Sequence, residues 1–184
     1  MHDFWSLGLL RRAAPDARIL VLLRDPWVRS RSGFAHTIRV LKRQLRGDRE
    51  QYVRATIASD ALSRSLYARQ LAELFEHFRR SQVLLLQYER CVDDPARELR
   101  RTYEFLGLDR PDHIPDSLRA HIGRRIVKAD PPEHLERAAK ASIARDSIEL
   151  MRVAPELDLD LWPSCRASRP RIAGARRLTA PSSG

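Results

Sequence analysis

The chain has 184 residues, 43 % of them apolar, enough for one domain with a buried core. Its formal charge of +10 invites a nucleic-acid reading, but aromatics are only 7 %, no helix-turn-helix or zinc spacing occurs, and many arginines alternate with Glu and Asp, as on a solvated, salt-bridged surface. No apolar run reaches the roughly 18 residues of a membrane span, no signal-peptide pattern is present, and Cys91 and Cys165 have neither metal nor disulfide-framework spacing, so a cytoplasmic protein without nucleic-acid or membrane partners is expected.

Residues 3–13 place Phe4, Leu7, Leu9 and Leu10 on one helical face, and Pro15-Asp16 ends the run. Residues 18–24, RILVLLR, are a short apolar run set between Pro-Asp and Asp-Pro, the punctuation of a strand. Pro26 then suits the first turn of a helix through WVRSRSGFAHTIRVLKRQL. From about Ser59 to Arg80, apolar residues at 62, 66, 67, 71, 74, 75 and 78 keep a helical period and predict one long amphipathic helix. Residues 81–89, SQVLLLQYE, repeat the buried-strand pattern, with Tyr88 and Glu89 at its end. In DDPARELRRTYEFLGL an Asp cap, a Pro at the helix start and Gly107 near its end mark another helix. A last helix is expected over 132–153, after Pro131-Pro132. Residues 166–184 carry Arg166, Arg169, Arg171, Arg176 and Arg177 without an acid and lack apolar periodicity, which predicts a disordered basic tail after a domain of residues 1–165.

Helices alternating with apolar strands predict an α/β fold whose parallel sheet is buried on both faces. Two strands are too few to stand alone, since about three are normally needed. Either further strands go unrecognised, or the chain is the back portion of a larger domain. A second copy or a partner chain completing the sheet is a further expectation.

A strand that runs through a tight turn into a helix brings its carboxyl end to the helix's first amides, where α/β folds bind ligands. Those free N–H groups attract an anion. Arg24 would add a planar fork, and Ser30 and Ser32 would add hydroxyl donors. The alternative is that Arg24 pairs with Asp25 or another acid and that the serines are ordinary helix residues.

The segment ILVLLRDPWVRSRSGF resembles the 3′-phosphate-binding segment of sulfotransferases, which transfer a sulfuryl group from 3′-phosphoadenosine 5′-phosphosulfate (PAPS). The matching positions are Arg24, Asp25, Pro26, Arg29, Ser32 and Phe34. SLYARQLAELFEHF, VLLLQYERCVDDPARELRRTYEFLGL and LDLDLWP are similar to later blocks of the same family, so the likeness spans roughly residues 10–163. The resemblance implies a P-loop-NTPase-like sulfotransferase fold in which Arg24 and Ser32 hold the donor's 3′-phosphate. Tyr67 would lie against the bound nucleotide; a core aromatic is the other reading. Tyr88 and Glu89 read as structural, Arg29 has no role beyond surface pairing, and the basic stretch 123–128 is a candidate cover for the nucleotide.

The family's 5′-phosphosulfate loop, a Gly-Thr turn with a Lys after a strand, has no counterpart here, and only 17 residues precede the first strand. The domain therefore reads as N-terminally truncated. The acceptor must also lose a proton to a base; His2, 22 positions before Arg24, stands where relatives carry theirs, against the reading of a frayed terminus. The other histidines have no metal spacing, and the family needs no catalytic metal. Sulfuryl transfer from PAPS to a hydroxyl or amine, on a small molecule or a glycan, is the implied reaction. The alternative is a non-catalytic nucleotide-binding or structural remnant.

Overall fold

In the computed structural model the described residues are 5–41, 50–109 and 130–166. Their order is α1 (Trp5–Ala13), β1 (Ile19–Leu23), α2 (Pro26–Leu41), α3 (Glu50–Ser63), α4 (Tyr67–His77), β2 (Val83–Gln87), α5 (Tyr88–Asp93), α6 (Pro95–Leu106) and α7 (Glu133–Val153). β1 and β2 pair in parallel, with Ile19 opposite Val83 and Leu23 opposite Gln87. The long crossover that a parallel pair requires is supplied by α2, α3 and α4.

The architecture is α/β with a parallel sheet flanked by helices. Ile19, Val21 and Leu23 of β1 and Val83 and Leu85 of β2 pack with α4 and α7 around Leu71, Phe78, Ile143, Leu150 and Trp162. The expectation of a sheet buried on both faces fails for β1. Side chains alternate along a strand, and the opposite pair, Leu20 and Leu22, is 42 % and 60 % exposed. Among the described residues β1 pairs only with β2, so its other edge has no strand beside it.

The single helix expected over 59–80 is two. α3 begins earlier, at Glu50, and ends at Ser63; α4 starts at Tyr67. Ser65, wholly buried, donates from Oγ to the Ala61 carbonyl (2.9 Å). The new helix is capped from a distance: Asp146 of α7 accepts the Tyr67 amide (2.8 Å) and the Ala68 amide (3.3 Å). A carboxylate at a helix N-terminus answers both the orphan amides and the dipole. The apolar period runs across the break because Leu62, Leu66, Tyr67 and Leu71 all reach the same core.

Burial pushes the Asp146 carboxyl above its ordinary range, outweighing the two amide bonds that pull it down. A raised folded-state value means the folded chain holds its proton more tightly than the unfolded one. That contribution to stability is complete below the unfolded value and is lost as pH rises through the folded value. Asp146→Asn mimics the protonated form while keeping an acceptor for the α4 amides. Denaturant titrations at several pH values are therefore expected to show the two proteins alike in acid, with the Asn variant gaining on the wild type as pH rises; a difference that does not change with pH contradicts this.

A second, smaller core joins α2 to α3 through Phe34, Ile38, Ile57 and Ala61, with Phe34 1 % exposed. α6 opens on Asp94, whose carboxylate accepts the Arg97 amide (2.9 Å), with Pro95 next, and closes on Gly107. Gly107 has φ +70°, the left-handed conformation that closes a helix and favours glycine, and the Arg18 guanidinium beside it donates to the Phe105 carbonyl. No helix among the described residues is long and apolar enough to cross a membrane. His2, the stretch 123–128 and nearly all of the basic tail lie outside the described residues.

Candidate anion-binding site at the strand ends

Because Leu23 is opposite Gln87 in a parallel pair, the next residues of both strands leave the sheet side by side. Arg24 and Tyr88 meet first, the guanidinium carbon 4.6 Å from the centre of the Tyr88 ring. Asp25 and Glu89 meet next, the Asp25 amide donating to Glu89 Oε1 (2.9 Å). Tyr88 and Glu89 thus open the short helix α5 instead of ending the strand as expected.

Asp25 is 3 % exposed and caps α2, its Oδ1 accepting the amides of Trp27 (2.9 Å) and Val28 (3.0 Å), with Pro26 in the first helical position. Two consequences follow. Asp25 is not the partner of Arg24: among the described residues no carboxylate lies within ion-pair distance of that guanidinium. The helix amides expected to receive an anion are already occupied by Asp25, so anion binding here must rest on side chains.

Three such side chains are carried by the turn and by α2. Arg24 is half-buried, its charge supported by the Tyr88 ring face and left free of carboxylates. Arg29, one turn into α2, also has no carboxylate partner among the described residues; it donates to Ser65 Oγ (3.3 Å) and its charge is felt at Tyr67. Among the described residues the surface pairing expected for Arg29 is absent, and the sequence offers no signal for its contact with Ser65, because that hydroxyl is 36 residues away. Ser32 stands six residues beyond Pro26, about 9 Å along the helix axis, and is half-buried. Its i±4 neighbours are Val28, 37 % exposed, and His36, also exposed; Ser32 therefore lies on the open face of α2, opposite the face that buries Ser30 and Phe34.

Tyr67 is 4 % exposed. Its hydroxyl donates to the Arg24 carbonyl (2.9 Å), and its ring lies tilted against Trp162 with centroids 5.9 Å apart. Burial, the largest influence, drives its phenol far above the usual range, so it remains a donor at any physiological pH. Tyr67 thereby fixes the backbone from which the Arg24 side chain springs.

Residues 1–112 match the family model described as "Sulfotransferase family". The chain belongs to the sulfotransferase family. It is 33 % identical over 105 residues to mouse heparan sulfate glucosamine 3-O-sulfotransferase 3B1, a stretch covering 52 % of this chain and 26 % of that protein. It is 32 % identical over 101 residues to human heparan sulfate glucosamine 3-O-sulfotransferase 6, covering 53 % and 30 %. The structure is similar to the crystal structure of a sulfotransferase from Alicyclobacillus acidocaldarius, with a TM-score of 0.64 and 26 % identity, over 85 % of this chain and 61 % of that one. The sulfotransferase chain thus spans about a quarter to a third of the length of these curated relatives.

Proposed function

We propose that this chain binds the 3′-phosphate of PAPS through Arg24 and Ser32 and serves in sulfuryl transfer to a hydroxyl or amine acceptor. The supporting observation is the Arg24 guanidinium: held just past the carboxyl end of β1, backed by an aromatic face, and free of any carboxylate among the described residues. A planar fork in that state suits a phosphate dianion. Ser32, on the open face of the adjoining helix, would add a neutral donor. Tyr67 would act through the Arg24 backbone as a positioning residue. When bound, PAPS supplies the sulfuryl group; the residues named here hold its far end and do not touch the bond that breaks.

Acceptors carrying sugar hydroxyls are the first to assay, because the named relatives sulfate glucosamine in heparan sulfate. The decisive experiment combines calorimetric titration with adenosine 3′,5′-bisphosphate and a radiolabelled-sulfate transfer assay over polysaccharide and small hydroxyl acceptors. Binding with turnover supports the whole proposal, binding without turnover supports a nucleotide-binding module, and absence of binding overturns both. His2→Ala, in the same assay, tests the base: assignment to His2 requires turnover to fall by about 10²–10⁴ with nucleotide affinity unchanged.

The open flank of β1 belongs to the same proposal. The edge of β1 that has no strand beside it among the described residues suits another strand, from a second copy or a partner chain, whose own side chains would extend the open face that carries Leu20 and Leu22. Sedimentation velocity of wild type and Leu22→Lys checks this: association lost on substitution supports it, and a monomer in both cases contradicts it. A cytoplasmic location is proposed on the two cysteines, Cys91 and Cys165, which are free thiols.

A further inference from the structure

The two carboxylates behind the anion-binding turn each face two ways. Asp25 Oδ1 caps α2, while its Oδ2 accepts the amide of Ser164 (3.0 Å), 139 residues later. Glu89 Oε1 accepts the Asp25 amide, while its Oε2 accepts the indole N–H of Trp162 (2.8 Å). Just below, the buried Gln87 side chain forms a two-bond pair with the backbone of Asp158: Nε2 donates to the carbonyl (2.9 Å) and Oε1 accepts the amide (3.0 Å). The segment 158–164 is thus bonded to the last residue of β2, to the first turn of α5 and to the cap of α2. It is anchored by Trp162, which is wholly buried and packs on Tyr67. All of it lies beyond the residues that match the family model.

We propose that residues 158–164 are a latch that positions the anion-binding turn, with Glu89 and Trp162 as positioning residues for Arg24. The inference rests on the reading that Arg24 receives the 3′-phosphate. The turn has few supports of its own: the Arg24 carbonyl is held by Tyr67, the Asp25 amide by Glu89, and the α2 amides by Asp25. Both carboxylates are oriented by donors from the latch, so loss of the latch frees them to rotate and lets the guanidinium wander from one geometry. An affinity that depends on a preorganised fork falls when the fork is loosened.

Two substitutions separate this from a general loss of stability. Glu89→Gln preserves shape but offers one acceptor where two N–H groups need one each; Trp162→Phe keeps a ring and removes the indole donor. Each variant, confirmed as folded by circular dichroism, is compared with wild type in two measurements. The first is amide hydrogen exchange without ligand, where exchange at Asp25, Trp27 and Val28 is expected to quicken about tenfold while the α7 core around Leu150 is unchanged. The second is calorimetric affinity for adenosine 3′,5′-bisphosphate against adenosine 5′-monophosphate. The bisphosphate is expected to weaken about tenfold, the scale of one charge-assisted hydrogen bond, and the monophosphate not at all. Unchanged exchange and affinity, or equal weakening of both nucleotides, overturns the latch. A wild type that binds both nucleotides alike overturns the 3′-phosphate reading itself, and the latch's function with it. Glu89→Gln, isosteric and only half-buried, keeps the test open if Trp162→Phe does not fold.

Discussion

Arg24→Ala is expected to leave the chain folded and to abolish the rise in melting temperature that adenosine 3′,5′-bisphosphate produces in the wild type. Without ligand the guanidinium has no carboxylate partner among the described residues and only the Tyr88 ring beneath it, a contact of about 0.5–1 kcal/mol when partly exposed. For a chain of this size that corresponds to a fall of no more than about 2–4 °C. With ligand at a hundred times its dissociation constant, the wild type gains about 2.7 kcal/mol by mass action. The expected shift is then roughly 5–10 °C. Arg24→Lys is expected to retain part of it, since an ammonium restores the charge but not the two-pronged geometry. Equal shifts in wild type and Arg24→Ala would remove Arg24 from the binding site.

Phe34→Ala is expected to be the most destabilising single change outside the main core, at about 3–5 kcal/mol. That is a large part of the roughly 5–15 kcal/mol of a typical domain. Phe34 is 1 % exposed and fills the space between α2 and α3 with Ile38, Ile57 and Ala61. Urea unfolding reads the loss as a lower midpoint. Hydrogen exchange is expected to show α3 losing protection ahead of the β1–β2 core, because the two clusters share no residue. A loss near 1 kcal/mol would mean that α3 is held by other contacts.

The two strands, the Asp-Pro turn and the capped helix at Asp94 were legible because each is announced within a few residues: apolar runs of strand length, a proline at a first helical turn, an aspartate before it. What the chain hid is set by distant partners. The break between α3 and α4 depends on Asp146, 79 residues from Tyr67, and hydrophobic periodicity passes over it unmarked. The open face of β1 reads in sequence like a buried one, since Leu20 and Leu22 have the same chemistry as Val21 and Leu23. At the candidate site, Arg24 was legible as a residue at a strand end, and the occupancy of the α2 amides by Asp25 had a signal that the anion reading passed over: the same Asp-Pro pattern that marks the cap at Asp94. Gln87 closing an apolar strand was a usable hint of the latch, being a polar residue where the pattern calls for burial, and it is 3 % exposed.

Crystallisation of the chain with adenosine 3′,5′-bisphosphate measures the geometry of binding without an assumption about turnover. The 3′-phosphate is expected within hydrogen-bond distance of the Arg24 guanidinium and Ser32 Oγ, with the Tyr67 hydroxyl still on the Arg24 carbonyl. A nucleotide bound with its 3′-phosphate away from both side chains, or none bound at millimolar concentration, contradicts the assignment.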